Sequence, residues 1–175
     1  MRILFTGASG SGKSTTLNRL KEIGFNVVEE QARILISDLL INDESKLPWN
    51  NREAFQCLLE DLQKKCFLEN DNHLFDRGIV DEIAFRSMNF IDVPTDLSDF
   101  CYDNRYDLVF MFHPNKAIYV NDDVRRETYE ESCNAFYNIL TAYWNHNYDI
   151  IRVPNTSIEE RVEFITNKIK EYNIK

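Results

Sequence analysis

Short apolar strands and amphipathic helices alternate along the whole chain. Arg2 to Thr6 shows too little alternation for a half-exposed strand and fits one covered on both faces, as in a parallel sheet. Lys13 to Ile23 places Leu17, Leu20 and Ile23 on one helical stripe, and Gly24 supplies the stop expected just beyond a helix. Phe25 to Val28 reads as a second short strand, ending on Glu29 and Glu30. Ala32, Leu35, Ile36, Leu39 and Leu40 then return to the three-and-four spacing of a helix.

A polar stretch from Asn42 to Pro48 breaks that pattern. Asn50, with Glu53 three residues later, reads as the cap of a further helix that runs to about Asn70. His73 to Asp76 is a third strand, Ile79 to Met88 a helix, and Pro94-Thr95 opens a short helical stretch toward Asn104. Asp107 to Phe112 is the strongest strand. A helical pattern fills Asp123 to Asn147, Tyr148 to Val153 gives a fifth strand, and Ser157 with Glu160 caps the last helix. Strands that alternate with helices pair in parallel through right-handed crossovers. The order therefore predicts an α/β fold: a doubly wound, three-layer sandwich around a five-stranded parallel sheet, expected as a single domain over residues 1–175.

The chemistry is concentrated just after the first strand, where residues 7 to 14 read Gly-Ala-Ser-Gly-Ser-Gly-Lys-Ser. In this G-x-x-x-x-G-K-S spacing, Gly7, Gly10 and Gly12 let successive backbone N–H groups converge on one anion without Cβ clashes. The helix that follows aims its positive end at the same point. Lys13 then reaches terminal phosphates, the Ser14 hydroxyl is a ligand for Mg²⁺, and Thr15 adjoins the α-phosphate. The loop from Gly7 to Thr15, with Ser9 and Ser11, is thus the candidate site for ATP or GTP. A preceding strand and a following amphipathic helix are the context this P-loop motif demands.

Composition narrows the partners. A net charge of −9 and a pI near 4.9 argue against a general nucleic-acid or anionic-membrane surface, so any anion must be held by a local device. No apolar run approaches a membrane span, and the glycine loop arrives too early for a signal peptide, so a soluble, cytoplasmic protein is expected. Cys57, Cys66, Cys101 and Cys133 lack C-x-x-C spacing and His73, His113 and His146 are scattered, which points to neither zinc nor a redox pair.

Further segments add a family resemblance across nearly the whole chain. They are Val-Val-Glu-Glu-Gln-Ala-Arg at 27 to 33, Leu-Pro-Trp at 47 to 49, Phe-Asp-Arg-Gly-Ile-Val-Asp at 75 to 81, Ile-Tyr-Val-Asn-Asp-Asp-Val-Arg-Arg-Glu at 118 to 127, and Val-Pro followed by Glu-Glu-Arg near the end. With the P-loop, this series resembles the AAA-type P-loop domain shared by the nicotinamide riboside kinase domains of NadR-type regulators and by TRP-translocation-defect proteins. The P-loop is specific by itself; the other segments gain weight from their order.

The resemblance implies a nucleoside- and nucleotide-kinase-like architecture with strand order 2-3-1-4-5, which brings Glu30 and Asp76 close to the loop. It implies Glu30 as general base or acceptor contact, Asp76 as ligand to a Mg²⁺-bound water and second base candidate, and Arg77 as electrostatic stabiliser. Arg125 and Arg126 correspond to lid arginines over the transferred phosphate. Arg33, Trp49 and Gln56 join Glu30 in the acceptor site, where an aromatic stack and an amide hydrogen bond would hold a planar ring. Structural readings stand beside these. Glu29 and Glu30 also suit a helix start, Arg77 also suits a pair with Asp81 one turn on, the acidic residues Asp122, Asp123, Glu127 and Glu130 also neutralise Arg125 and Arg126, and Trp49 also serves as a plug.

Two functions follow. The first is an ATP-dependent kinase that transfers a γ-phosphoryl group to a hydroxyl of a nucleoside-like small molecule. The second is an ATP- or GTP-binding switch with slow hydrolysis and a protein partner. An oligomeric AAA motor is not expected, since no residues remain for a helical lid domain. At 115 to 118, Asn-Lys-Ala-Ile lacks the aspartate of a guanine-reading Asn-Lys-x-Asp, which lowers the expectation of GTP specificity.

Overall fold

The computed structural model describes residues 1–117, 119 and 128–174. Five strands, β1 (Arg2–Gly7), β2 (Val27–Val28), β3 (His73–Asp76), β4 (Leu108–Phe112) and β5 (Ile150–Val153), form one parallel sheet in the order β2-β3-β1-β4-β5. Between them run α1 (Lys13–Glu22), α2 (Gln31–Asn42), α3 (Arg52–Glu69), α4 (Ile79–Met88), α5 (Thr95–Asp103), α6 (Tyr129–Asn145) and α7 (Ile158–Asn173). This is the α/β sandwich and the strand order anticipated from the sequence.

Successive residues of a strand point to opposite faces, so a strand apolar at every position needs a layer on each side. On one face Leu4, Phe75, Val109 and Met111 pack with Ile79 and Val80 of α4 and Ile139 and Tyr143 of α6. On the other, Ile3, Phe5, Leu74, Phe110 and Phe112 meet Leu17 and Leu20 of α1 and Ile165 and Ile169 of α7. A third cluster, Leu39, Leu47, Phe55 and Leu59, ties α2 to α3. β1 is central, so its C-terminal end, where the glycine loop leaves, lies between the ends of β3 and β4; Phe5 pairs with Asp76 and Gly7 with Phe112.

Several boundaries move. Asn51, not Asn50, caps α3: its side chain accepts from the Ala54 N–H at 3.1 Å, whereas the Asn50 amide donates to the Glu44 carbonyl at 2.7 Å. The Asn50–Glu53 cap is therefore not formed. β2 loses Phe25, whose N–H returns to the Leu20 carbonyl at 3.1 Å, and β5 loses Tyr148, whose N–H returns to Tyr143 at 3.1 Å. α6 begins at Tyr129 behind a reciprocal Thr128–Glu131 cap; residues 123–127, expected in the same helical region, lie outside the described residues. The Ser157–Glu160 cap of α7 is present as expected. Among the described residues no helix is long and apolar enough to cross a membrane.

Candidate active site

The glycine loop closes around the end of β1 with positive φ at Gly7, Gly10 and Gly12. Its carbonyls are tied from several directions. Lys13 Nζ donates to those of Gly7 (3.2 Å) and Ala8 (2.8 Å), Ser132 Oγ of α6 to that of Ser9 (2.9 Å), and Thr16 Oγ1 to that of Gly12 (2.9 Å). In a trans peptide each tied carbonyl turns the next N–H the opposite way, which leaves an array of donors suited to an anion. Lys13 is buried, and burial, followed by the neighbouring Arg77 charge, pulls its ammonium down to about 8. The lysine thus waits on the loop's own carbonyls.

Strand ends deliver the remaining groups. Asp76, last residue of β3, accepts from the Ser14 hydroxyl at 3.0 Å through Oδ2, while its buried Oδ1 has no partner. Burial, reinforced by the Glu30 charge against the opposing pull of Lys13, holds the Asp76 carboxyl above the usual carboxylate range. Glu30, beyond β2, behaves oppositely. Burial alone would raise it, but Arg77, Lys13 and Arg33 outweigh that and keep it below the usual range. Its two oxygens accept from Arg77 Nε and Arg33 Nε, each at 2.9 Å.

Arg77 adopts a left-handed backbone, φ 69°, unusual for a residue with a Cβ. The turn sends its side chain back under the loop, where it also donates to the Gly7 carbonyl at 3.2 Å and lies 3.6 Å from Asp81. The Asp81 pairing expected of Arg77 is present, and the same guanidinium also meets Glu30 and the Gly7 carbonyl. Asp81 is fully buried and accepts from Thr6 Oγ1 at 2.6 Å, so β1, β3 and the start of α4 are locked at this point.

Three cavities border these residues: one of about 390 Å³ along α1 and β2, lined by Ser14, Glu30, Arg33 and Asp76 among others, and two more. One, about 580 Å³, is lined by the glycine loop, Ser14, Thr15 and the start of α7, including Arg161. The other, about 360 Å³, lies between α2, α3 and α4 and is lined by Phe55, Gln56, Gln63, Glu82 and Phe85 among others. Ser9, Glu30, Arg33 and Arg77 line both. The structure therefore brings Glu30, Arg33, Arg77, Asp76 and the P-loop together and places Gln56 on the second cavity. Trp49 is 41% exposed and lines neither, although its neighbour Pro48 does. Arg125 and Arg126 lie outside the described residues.

Gln63, Glu82 and Arg161 escaped the sequence reading. A signal existed for Gln63: with Gln56, Leu59 and Phe67 it follows the three-and-four spacing of the buried stripe of α3, and a polar residue on such a stripe asks for a partner. Arg161 closes the Glu-Glu-Arg segment and reaches the Ser11 carbonyl at 3.5 Å.

A central parallel sheet in this order, with a glycine loop and lysine-serine helix start at the end of β1, defines a P-loop NTPase fold. The sequence model of the AAA domain family matches residues 2–161, and the chain belongs to that family. Among solved structures, deoxyadenosine kinase from M. mycoides, with products dCMP and dCDP bound, superposes with a TM-score of 0.70 at 20% identity, covering 98% of this chain and 99% of that one. A NadR protein in complex with NR gives 0.69 at 16% identity, over 98% of this chain and 50% of its own. Shikimate kinase from Aquifex aeolicus gives 0.56 at 18%, over 97% and 96%. At these identities the likeness is one of fold. No curated protein matches the sequence.

Proposed function

We propose that this protein is a kinase that moves the γ-phosphoryl group of a nucleoside triphosphate, ATP in the first instance, to a hydroxyl of a nucleoside-like small molecule. The observation that carries this reading is the shared wall. A phosphate cradle and a separate, partly apolar cavity open onto the same Glu30, Arg33 and Arg77. A nucleotide switch has no use for the second cavity; a transferase needs one. The solved kinases of the same fold, which include enzymes named for deoxyadenosine and for shikimate, agree with a small-molecule acceptor.

In this mechanism the triphosphate lies on the N–H groups of the glycine loop, and Lys13 exchanges the Gly7 and Ala8 carbonyls for phosphate oxygens. The residues present fit Mg²⁺. Ser14 Oγ and Asp76 Oδ2 form one oxygen pair, and Asp76 Oδ1 is buried without a partner. Among the described residues there is no cluster of three or more metal-binding side chains, and a magnesium site that draws its other ligands from phosphates and water needs none. When bound, the ion neutralises charge on the phosphates. The acceptor oxygen then forms its bond to the γ-phosphorus as the bond to the bridging oxygen of the leaving diphosphate breaks. The hydroxyl proton passes to Glu30, which its arginines hold ionised. Arg77 and Arg33 meet the equatorial oxygens, with Arg125 and Arg126 proposed to close over them.

Glu30→Gln tests the assignment. Acceptor-stimulated ADP formation is expected to fall by roughly 10²- to 10⁴-fold, the range of general acid–base catalysis, while ATP affinity measured by calorimetry changes little. If no nucleoside or related hydroxyl compound raises ADP formation above a slow basal rate in the wild type, the kinase reading fails and the regulator takes its place.

A further inference from the structure

Helix α6 turns an unusual face to solvent. The chain is 28% charged, yet from Ser132 to Tyr148 it contains no Asp, Glu, Lys or Arg, the longest such interval in the sequence. Packing of one side of the helix against α4 and the sheet, through Phe136, Ile139, Leu140 and Tyr143, accounts for the apolar residues there. It does not account for the opposite side. Tyr137 is 59% exposed and Trp144 56% exposed, and Asn134, Asn138, Thr141 and Asn145 are exposed beside them. A surface helix ordinarily carries charges on its outer face. Exposed aromatics gathered on an uncharged patch have the composition of an interface core.

The positions on this face have a definite order. At the helical repeat of about 3.6 residues per turn, Thr141 lies on the midline, Tyr137 and Trp144 fall on one side of it, and Asn138 and Asn145 fall on the other. Tyr137 and Asn138 precede Thr141 by four and three residues, and Trp144 and Asn145 follow it by three and four, so the pattern is nearly unchanged when the helix direction is reversed. A two-fold axis in the plane of contact, perpendicular to the helix at Thr141, therefore sets Tyr137 of each copy against Trp144 of the other, and Asn138 against Asn145. The midpoint is a small residue, and its hydroxyl is folded back onto the Tyr137 carbonyl at 2.8 Å, which permits close approach. Such an axis brings like surfaces together. That is unfavourable for charges and favourable for amides and hydroxyls, which both donate and accept. In a chain with a net charge of −9, an uncharged face lets two copies meet without like charges at the contact.

We propose that the outer face of α6 is a docking surface for a second copy of this chain, which packs antiparallel through Tyr137–Trp144 and Asn138–Asn145 contacts. Tyr102 of α5, 49% exposed, donates its hydroxyl to the Asn145 carbonyl at 3.3 Å and widens the aromatic surface at that end. None of these residues lines any of the three cavities, so the surface is independent of the kinase reading. One helix face with a single flanking aromatic is smaller than the roughly 800 Å² per partner of a standard interface, and association is expected at tens of micromolar.

Sedimentation velocity of the full chain, from roughly 5 to 500 μM, tests this. A concentration-dependent shift from the 20.7 kDa chain toward twice that mass is expected. Tyr137→Lys and Trp144→Glu, each alone, should weaken association at least roughly tenfold, because each sets an unpaired charge in the contact. Mixed with one another, the two variants should associate again, since the antiparallel register brings the new ammonium against the new carboxylate. Unchanged melting temperature certifies the fold of each variant. Thr141→Cys reports contacts too brief to weigh: lying on the axis, it should form an intermolecular disulfide under mild oxidation well above the background of the native cysteines, whereas the exposed control Asn167→Cys on α7 should not. A chain that is monomeric at every concentration and gains no crosslink from Thr141→Cys overturns the inference. So does a dimer that both charge variants leave intact, or a mixture of them that fails to re-associate. A monomer that instead sediments with phosphatidylcholine vesicles, and no longer does so as Trp144→Glu, assigns the face to a membrane and overturns it as well.

Discussion

Lys13 illustrates how single residues of the site are poised. Its ammonium is 6% exposed, sits on two backbone carbonyls, and has an acidity near pH 8 in the free protein. A triphosphate favours the charged form and must raise that value on binding. The free protein therefore holds fewer protons than the complex above about pH 8, and the sign follows: affinity is at its plateau below about 8 and declines above it, by up to roughly tenfold per pH unit until the value in the complex is reached. Calorimetry of ATP binding from pH 7 to 9.5 reads this directly. Lys13→Ala, tested the same way, should lose tight binding at every pH and keep its melting temperature within a few degrees, since the side chain is proposed to act as a charge on phosphate and belongs to none of the three apolar clusters.

What was legible at this scale depended on contiguity. The P-loop declared itself because its chemistry is local: glycines, lysine and serine act from neighbouring positions. Glu30 and Arg77 are 47 residues apart, and their 2.9 Å contact arises only because the ends of β2 and β3 are adjacent and Arg77 takes a left-handed turn. Neither condition is written at either residue. The resemblance supplied both residues, but not the fact that one guanidinium holds Glu30, the Gly7 carbonyl and Asp81 together. Glu82 was harder still, because the first turn of a helix is an ordinary place for a glutamate. Its burial at 1% exposure, with Oε2 left unpartnered, sets it apart, and no local pattern shows that.

At the level of elements, β1 is the part on which the site hangs. Gly7 ends the strand with φ 124°, and a Cβ there would stand 2.2 Å from the Phe112 carbonyl oxygen, a backbone atom of β4 that cannot give way cheaply. Gly7→Ala is therefore expected to destabilise the protein by at least about 2 kcal/mol, from the strained backbone and the forced separation of β1 and β4. A denaturant midpoint shifted downward with an unchanged slope would show it, and an unshifted midpoint would mean that the loop re-forms elsewhere. Strand existence and order were readable because the apolar runs are dense and regular. Their ends were less so. β2 and β5 each shorten where a backbone N–H returns to the preceding helix, a choice that depends on how that helix finishes. The cap of α3 likewise passed to Asn51, because both Asn50 and Asn51 send their N–H groups to Leu47, a turn that advances the start by one residue.

The molecule as a whole joins a basic, phosphate-seeking interior to an acidic exterior. Against a net charge of −9, Lys13, Arg33, Arg77 and Arg161 converge on the larger cavity, a local concentration of positive charge suited to an anion. The acidic exterior also repels anionic ligands at long range, an effect that added salt screens away. Helix layers cover both faces of the sheet, and the C-terminal strand ends are the position at which ligands enter open α/β sheets. Both cavities lie there.

The wall shared by those cavities has a practical consequence for ligand design. Because Ser9, Glu30, Arg33 and Arg77 border both spaces, the two lie side by side, and one molecule bearing both ligands is expected to reach from one to the other. A nucleoside tethered through its hydroxyl to the end of a nucleotide's polyphosphate chain turns the second docking event into an intramolecular one. Its gain is set by effective concentration and not by any new contact. A chain of four or five phosphates should bind roughly 10²- to 10⁴-fold more tightly than the better of its halves, and should compete with nucleotide and acceptor alike. Displacement titrations against a fluorescent ATP analogue, run with tethers of increasing length, should show an affinity optimum at the length that matches the span. A tethered compound that binds no better than the nucleotide alone at every length would mean that the two spaces are not filled at once.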